Sequence, residues 1–102
     1  AVNKISKCRA YLNTKMQEED SPIYGINTGF GSLCNVKISK DKLTQLQENL
    51  VMSHACGIGD LVPKQVVKLM LLLKIQSLSY GHSGVQVETV ERLVYFYNND
   101  NL

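Results

Sequence analysis

The chain has 102 residues, of which 44% are hydrophobic and 20% charged. That is an ordinary composition for a soluble globular protein, with room for one domain rather than two. The net charge is only +2, with the lysines scattered from Lys4 to Lys74, so nucleic acid and anionic membranes are poor candidate partners.

From the N-terminus, Ile5, Cys8, Leu12 and Met16 recur at three- and four-residue steps. This spacing predicts a helix over residues 2–17 with one apolar stripe. Ala1 to Lys7 lack the apolar stretch of a signal peptide. The acidic run Glu18-Glu19-Asp20 followed by Ser21-Pro22 breaks the helix, because proline disfavours helical backbone at the residue before it. Residues 23–36 follow as a loop, with three glycines in the seven residues Gly25 to Gly31. A short extended piece is expected at Val36 to Ile38.

A second helix is expected from Ser39, a favourable N-cap residue, with Leu43, Leu46, Leu50 and His54 along one face. Gly57 stands where a C-cap glycine belongs. Pro63 suits the first turn of a third helix running to about Ser79. Its centre, Leu69-Met70-Leu71-Leu72-Leu73, is apolar on all sides and has to be covered by neighbours. At five residues, this run is far short of the roughly 20 needed to cross a membrane. Ser83 and Gln86 have capping-box spacing. A fourth helix then carries Val87, Val90, Leu93, Val94 and Tyr97 on one side and stops at Asn98-Asn99-Asp100-Asn101. The fold class is all-α, about four helices with one glycine-rich loop.

Three cysteines, Cys8, Cys34 and Cys56, lie far apart with no C-x-x-C. This pattern argues for reduced thiols in a cytoplasmic protein. His54, Cys56 and His82 make a poor metal site, since the first two point in different directions on a helix and no fourth ligand follows. The glycine pattern Gly25-x-x-x-Gly29-x-Gly31 is not a dinucleotide or P-loop fingerprint. The carboxylates sit at helix starts and on polar faces and read as solvation and capping.

The loop itself is unusual, since Ile23, Tyr24, Ile26 and Phe30 crowd a glycine-rich stretch. Such aromatics fit a loop folded inward over something, or a buried connector with its tyrosine hydroxyl satisfied. His54 fits a core histidine, or one that caps the last carbonyls of its helix.

The string Tyr24-Gly25-Ile26-Asn27-Thr28-Gly29-Phe30-Gly31 resembles the tyrosine loop of the aromatic amino acid lyases. Its Ile-Asn pair looks like the histidine ammonia-lyases within that family. Two further blocks follow in family order, Leu46 to Gly57 with Ser53-His54-Ala55, and Leu73 to Val85. Together the three cover most of residues 23–86.

The resemblance implies an enzyme that removes ammonia from an amino acid without an external cofactor. Its electrophile is a methylidene-imidazolone ring made autocatalytically from an Ala-Ser-Gly triplet, and a base takes a proton from the substrate's β-carbon. From L-histidine the products are urocanate and ammonia. The resemblance makes Tyr24 the catalytic base and His54 a substrate-binding residue, with Asn27, Gly29 and Phe30 shaping the pocket. A phenol serves as a base only where nearby positive groups, such as helix N-termini, ionise it. The family's full form is a largely helical homotetramer whose active sites draw on more than one subunit.

No Ala-Ser-Gly occurs in these 102 residues, and His82-Ser83-Gly84 is the nearest look-alike. The chain is therefore expected to be one incomplete domain, the N-terminal part of such an enzyme, and inactive by itself. Many relatives have Arg where Tyr80 and Gln86 stand. Two alternatives stay open. One is a tyrosine or phenylalanine ammonia-lyase or aminomutase of the same family; the other is a non-catalytic helical oligomerisation module. The apolar run at 69–73 and the 87–97 stripe are expected to meet partner surface.

Overall fold

The computed structural model describes residues 1–18 and 21–102. Its elements are α1 (Val2–Glu18), α2 (Leu43–His54), α3 (Lys64–Ser79) and α4 (Val87–Asn98), with single 3-10 turns at Gly31–Leu33 and Lys40–Lys42. Among the described residues the β structure is one isolated antiparallel bridge, Thr28 to Lys37. That bridge realises the extended piece expected at Val36 to Ile38. The break expected at Glu18–Pro22 falls partly on residues 19 and 20, which lie outside the described residues.

Two compact units result, one from residues 1–18 with 60–102, the other from residues 21–59. In the first, α1, α3 and α4 pack on one another. Ile5, Leu78 and Val90 are buried at their meeting point, with Ile75, Val85, Val87 and Leu93 packed around them. Each fully buried aliphatic side chain of this kind stabilises the fold by about 1.5–3 kcal/mol. The α4 stripe is thus covered largely from within, by α1 and α3. This corrects the expectation that the whole 87–97 stripe meets partner surface. On α3, Leu69, Met70, Leu72 and Leu73 remain 44–62% exposed, so that half of the expectation stands as an uncovered face.

The turn between α3 and α4 fits tightly under α1. Gly81 has φ +76, and a Cβ placed there would lie 2.7 Å from the Lys4 carbonyl oxygen. Arg9 donates from Nη1 to the Gly84 carbonyl at 3.2 Å. Gly84 has φ +68, a left-handed conformation that cannot belong to a helix's first turn. For that reason the Ser83–Gln86 capping box does not form. Gln86 is itself the N-cap, with no side-chain cap bond. Pro63 likewise stands one residue earlier than expected, as the N-cap of α3. Its carbonyl accepts from the amides of Val66 and Val67.

At the far end of α4, Asp100 adopts φ +56 and the Asn101 amide bonds back to the Phe96 carbonyl at 3.1 Å. This is a Schellman-type stop with Asp in the place glycine usually takes. The Asp100 carboxylate also ties α4 to α3, at 2.6 Å from Lys68 Nζ and 3.4 Å from Lys64 Nζ. The hydrogen bond from Lys68, then that from Lys64, holds the Asp100 carboxyl below the usual carboxylate range. The same bond to Asp100 raises the Lys68 ammonium above its ordinary value.

A depressed carboxyl stabilises the fold above its unfolded pKa, about 3.9, and loses that contribution as pH falls through the folded value. A raised lysine contributes below its unfolded value and loses that contribution as pH rises through the folded one. The clasp is therefore strongest between these limits. Both groups are solvent-exposed, so the effect is small and screened by salt. The melting midpoint of Asp100→Asn is expected to fall below the parent's at neutral pH and to meet it at pH 2. An equal gap at both pH values would show that the ion pair contributes nothing.

Candidate functional site

All five candidate residues, Tyr24, Asn27, Gly29, Phe30 and His54, lie in the unit of residues 21–59. The loop is built by its own backbone. Ile26 donates to the Ile23 carbonyl at 3.0 Å and Asn27 to the same carbonyl at 3.1 Å. Gly25 has φ +77, the value that the third position of a type II turn requires and that glycine supplies without strain. Tyr24 therefore sits at the outer corner of this turn, beside the glycine.

The other side of the loop is drawn closed. Gly29 donates to Val36 O at 2.9 Å and Ile38 to Asn27 O at 2.8 Å, on either side of the Thr28–Lys37 bridge. Thr28 is fully buried, its hydroxyl donating to the Gly29 carbonyl at 2.9 Å. Gly29 is buried too, and a Cβ there would come within 2.7 Å of Leu33 Cβ and 2.8 Å of Leu33 O. No side chain fits at this position, so glycine is required by close approach rather than by φ.

Thr28 and Gly29 are thus the inward-facing residues of the loop. Tyr24 is 64% exposed, and its hydroxyl makes no hydrogen bond among the described residues. It is neither the buried connector nor an inward-folded ring that the sequence suggested. Its ring meets Phe30 edge-on, centroids 6.0 Å apart at 72°, which fixes the aromatic base and leaves the hydroxyl free. The Asn27 amide is committed to the loop itself. Its Oδ1 accepts from the Ile23 amide at 2.6 Å and its Nδ2 donates to the Ser21 carbonyl at 3.1 Å.

His54 is the last residue of α2 and is exposed. The helix ends there, not at Gly57. Ala55 has φ −75 and ψ 71, and the Cys56 amide bonds to the His54 carbonyl at 2.8 Å. Those values describe an inverse γ-turn, which stops the helix without any left-handed residue. The ring is not in the core; it folds back along its own helix, with Nδ1 3.0 Å from the Leu50 carbonyl and 2.9 Å from Ser53 Oγ. No hydrogen bond or ring contact joins His54 to Tyr24 among the described residues.

Tyr80 and Gln86 belong to the other unit. Tyr80 caps α3 and accepts from Gln76 Nε2 at 3.3 Å. Gln86 lines an open groove of about 520 Å³ with Ser6, Arg9 and Asn13. Cys8, Cys34 and Cys56 are free thiols. Among the described residues no three His, Cys, Asp or Glu side chains gather as metal ligands, and no helix is long and apolar enough to cross a membrane.

Comparison with known proteins places the chain in a family. The model of the aromatic amino acid lyase family matches residues 1–102, and the chain belongs to that family. Among curated proteins it is 51% identical to a histidine ammonia-lyase of Deinococcus radiodurans over all 102 residues, which are 19% of that protein. It is 54% identical over 101 residues to a histidine ammonia-lyase of Legionella pneumophila (strain Corby), covering 97% of this chain and 20% of the other. Among solved structures it superposes on a tyrosine aminomutase from Streptomyces globisporus with TM-score 0.87 and 32% identity. That match covers 97% of this chain and 19% of the aminomutase. A Pantoea agglomerans phenylalanine aminomutase gives TM-score 0.87 at 31% identity, over 95% of this chain and 19% of the other. The chain thus spans about a fifth of the length of the relatives it matches, and its helical fold is the family's.

Proposed function

We propose that this chain is the N-terminal part of a histidine ammonia-lyase, converting L-histidine to urocanate and ammonia. The observation that carries the reading is Tyr24 held at the corner of a glycine turn with its hydroxyl free. It stands in a chain half identical, along its whole length, to a curated histidine ammonia-lyase. In this reading Tyr24 Oη takes the proton from the substrate's β-carbon. The electron pair of that C–H bond becomes the Cα–Cβ double bond, and the Cα–N bond breaks. His54 binds the substrate. Phe30 holds the Tyr24 ring, Asn27 ties the turn through its side-chain amide, and Gly29 closes the far side of the loop against Leu33 and Val36.

The family uses no external cofactor. Its methylidene-imidazolone ring does not fit the residues present. Ala1, Ala10 and Ala55 are followed by Val2, Tyr11 and Cys56, and in the look-alike His82-Ser83-Gly84 the glycine is buried under α1. The electrophile has to come from outside these 102 residues, and for that reason they are inactive alone. The exposed side chains of Leu69, Met70, Leu72 and Leu73 support burial against further lyase sequence or another copy in a homotetramer. The three free thiols support a cytoplasmic setting.

The aminomutase likeness favours a second reading, in which the substrate is L-tyrosine or L-phenylalanine. Ser53-His54-Ala55 and the higher identity to the histidine enzymes speak for L-histidine. The two part on a substrate panel with the full-length protein. Its kcat/KM for L-histidine is expected to exceed that for L-tyrosine and L-phenylalanine by about a hundredfold or more. The reverse order would replace the first reading by the second.

A further inference from the structure

The polar surroundings of the His54 ring fix more than its position. Nδ1 lies 3.0 Å from the Leu50 carbonyl oxygen and 2.9 Å from Ser53 Oγ. The Ser53 hydroxyl donates to that same Leu50 carbonyl at 2.9 Å. A carbonyl oxygen can only accept. With its one proton directed at Leu50 O, Ser53 Oγ offers Nδ1 lone pairs. A bare Nδ1 would then face lone pairs on both sides at hydrogen-bonding distance, which is repulsive. A protonated Nδ1 satisfies all three groups. The other nitrogen, Nε2, makes no hydrogen bond among the described residues; in the neutral ring it carries a lone pair.

We propose that Ser53 is a positioning residue that, with the Leu50 carbonyl, holds His54 as the Nδ1–H tautomer, so that Nε2 accepts a hydrogen bond from an N–H donor of the substrate. The inference rests on the reading of His54 as substrate-binding. It deepens that reading by giving the contact a direction. The substrate group at His54 is a donor, such as an imidazole N–H, and a substrate side chain with only carbon there gains nothing from it. The spacing Leu50-x-x-Ser53-His54 delivers this arrangement because residues i and i+4 share a helix face, while the i+3 hydroxyl folds back onto the same carbonyl.

The test uses the full-length protein with 15N-labelled histidine, comparing the parent with Ser53→Ala and Ser53→Thr. The His54 signal is identified by its loss in His54→Gln. In the parent the 15N pattern is expected to be that of the Nδ1–H tautomer, with a mixture of tautomers in Ser53→Ala and restoration in Ser53→Thr. In parallel, Ser53→Ala is expected to raise KM for L-histidine about fivefold while kcat changes less than about twofold. Ser53→Thr should stay near the parent. An Nε2–H tautomer in the parent, or an Ala variant that matches it in both tautomer and KM, would overturn the proposal. A parent with the Nδ1–H pattern but no urocanate from L-histidine would instead overturn the substrate reading and leave the tautomer assignment standing.

Discussion

Tyr24→Phe in the full-length protein is expected to lower kcat for L-histidine by at least about a hundredfold, leaving KM nearly unchanged. Removing a positioned general base generally costs about 10²- to 10⁴-fold. An effect on kcat without KM marks an interaction made in the transition state. The substitution deletes one oxygen and keeps the ring, so the edge-on contact with Phe30 at 6.0 Å survives. The hydroxyl supports no part of the loop, since Tyr24 is 64% exposed and the turn is closed by Ile26, Asn27 and the Asn27 amide. Stability should therefore move by no more than about 0.5 kcal/mol. Steady-state urocanate formation, read beside a thermal melt, checks both halves. A variant with at least a third of the parent's kcat means that the proton goes to another group.

Gly81→Ala is expected to destabilise the three-helix unit by about 3 kcal/mol, the sum of two costs. A left-handed φ costs a side-chain-bearing residue about 1–2 kcal/mol. Forcing a methyl into packed surroundings adds about 1–3 kcal/mol. The atoms it would meet are backbone, the Lys4 carbonyl oxygen and carbon at 2.7 and 2.8 Å, and these cannot swing aside as a flexible side chain would. Gly25→Ala supplies the comparison. Its φ is nearly the same, +77, but no atom lies within 4 Å of the added Cβ, so it carries only the conformational cost. Denaturant melts of the two variants separate the terms. Equal losses would mean that α1 does not pack against the turn at Gly81 as described.

The helices were legible because their apolar spacing is regular. The stripes that carry Ile5 on α1 and Val90 on α4 show in that spacing, and both residues are buried, Val90 under α1 and α3 rather than against the partner surface expected for its stripe. The ends were less legible, because a cap is decided by one backbone angle that residue type only biases. Gly57 looked like a C-cap, yet Ala55 stopped the helix with an inverse γ-turn open to any residue. Ser83 had the right partner at Gln86, but Gly84 between them turns left-handed to pass beneath Leu12. That contact joins residues 72 positions apart and has no local signature.

In the loop the glycines announced unusual backbone, and the resemblance supplied roles for Tyr24 and His54. That Thr28 would be the buried residue and Tyr24 the exposed one could not be read from composition. It follows from the Thr28–Lys37 bridge, a pairing too short to show alternation. The network at His54 was half visible. Its position at the helix end was plain, but the direction of its ring depended on the rotamer of Ser53.

The most direct test of the central claim is an exchange of segments. The stretch of the Deinococcus radiodurans histidine ammonia-lyase that matches this chain end to end is replaced by these 102 residues, and urocanate is measured with L-histidine. A chimera that forms urocanate, and stops doing so when Tyr24 becomes Phe, is the expected result. A chimera that folds with the parent's helix content and assembly yet makes none, or one indifferent to Tyr24→Phe, would contradict it.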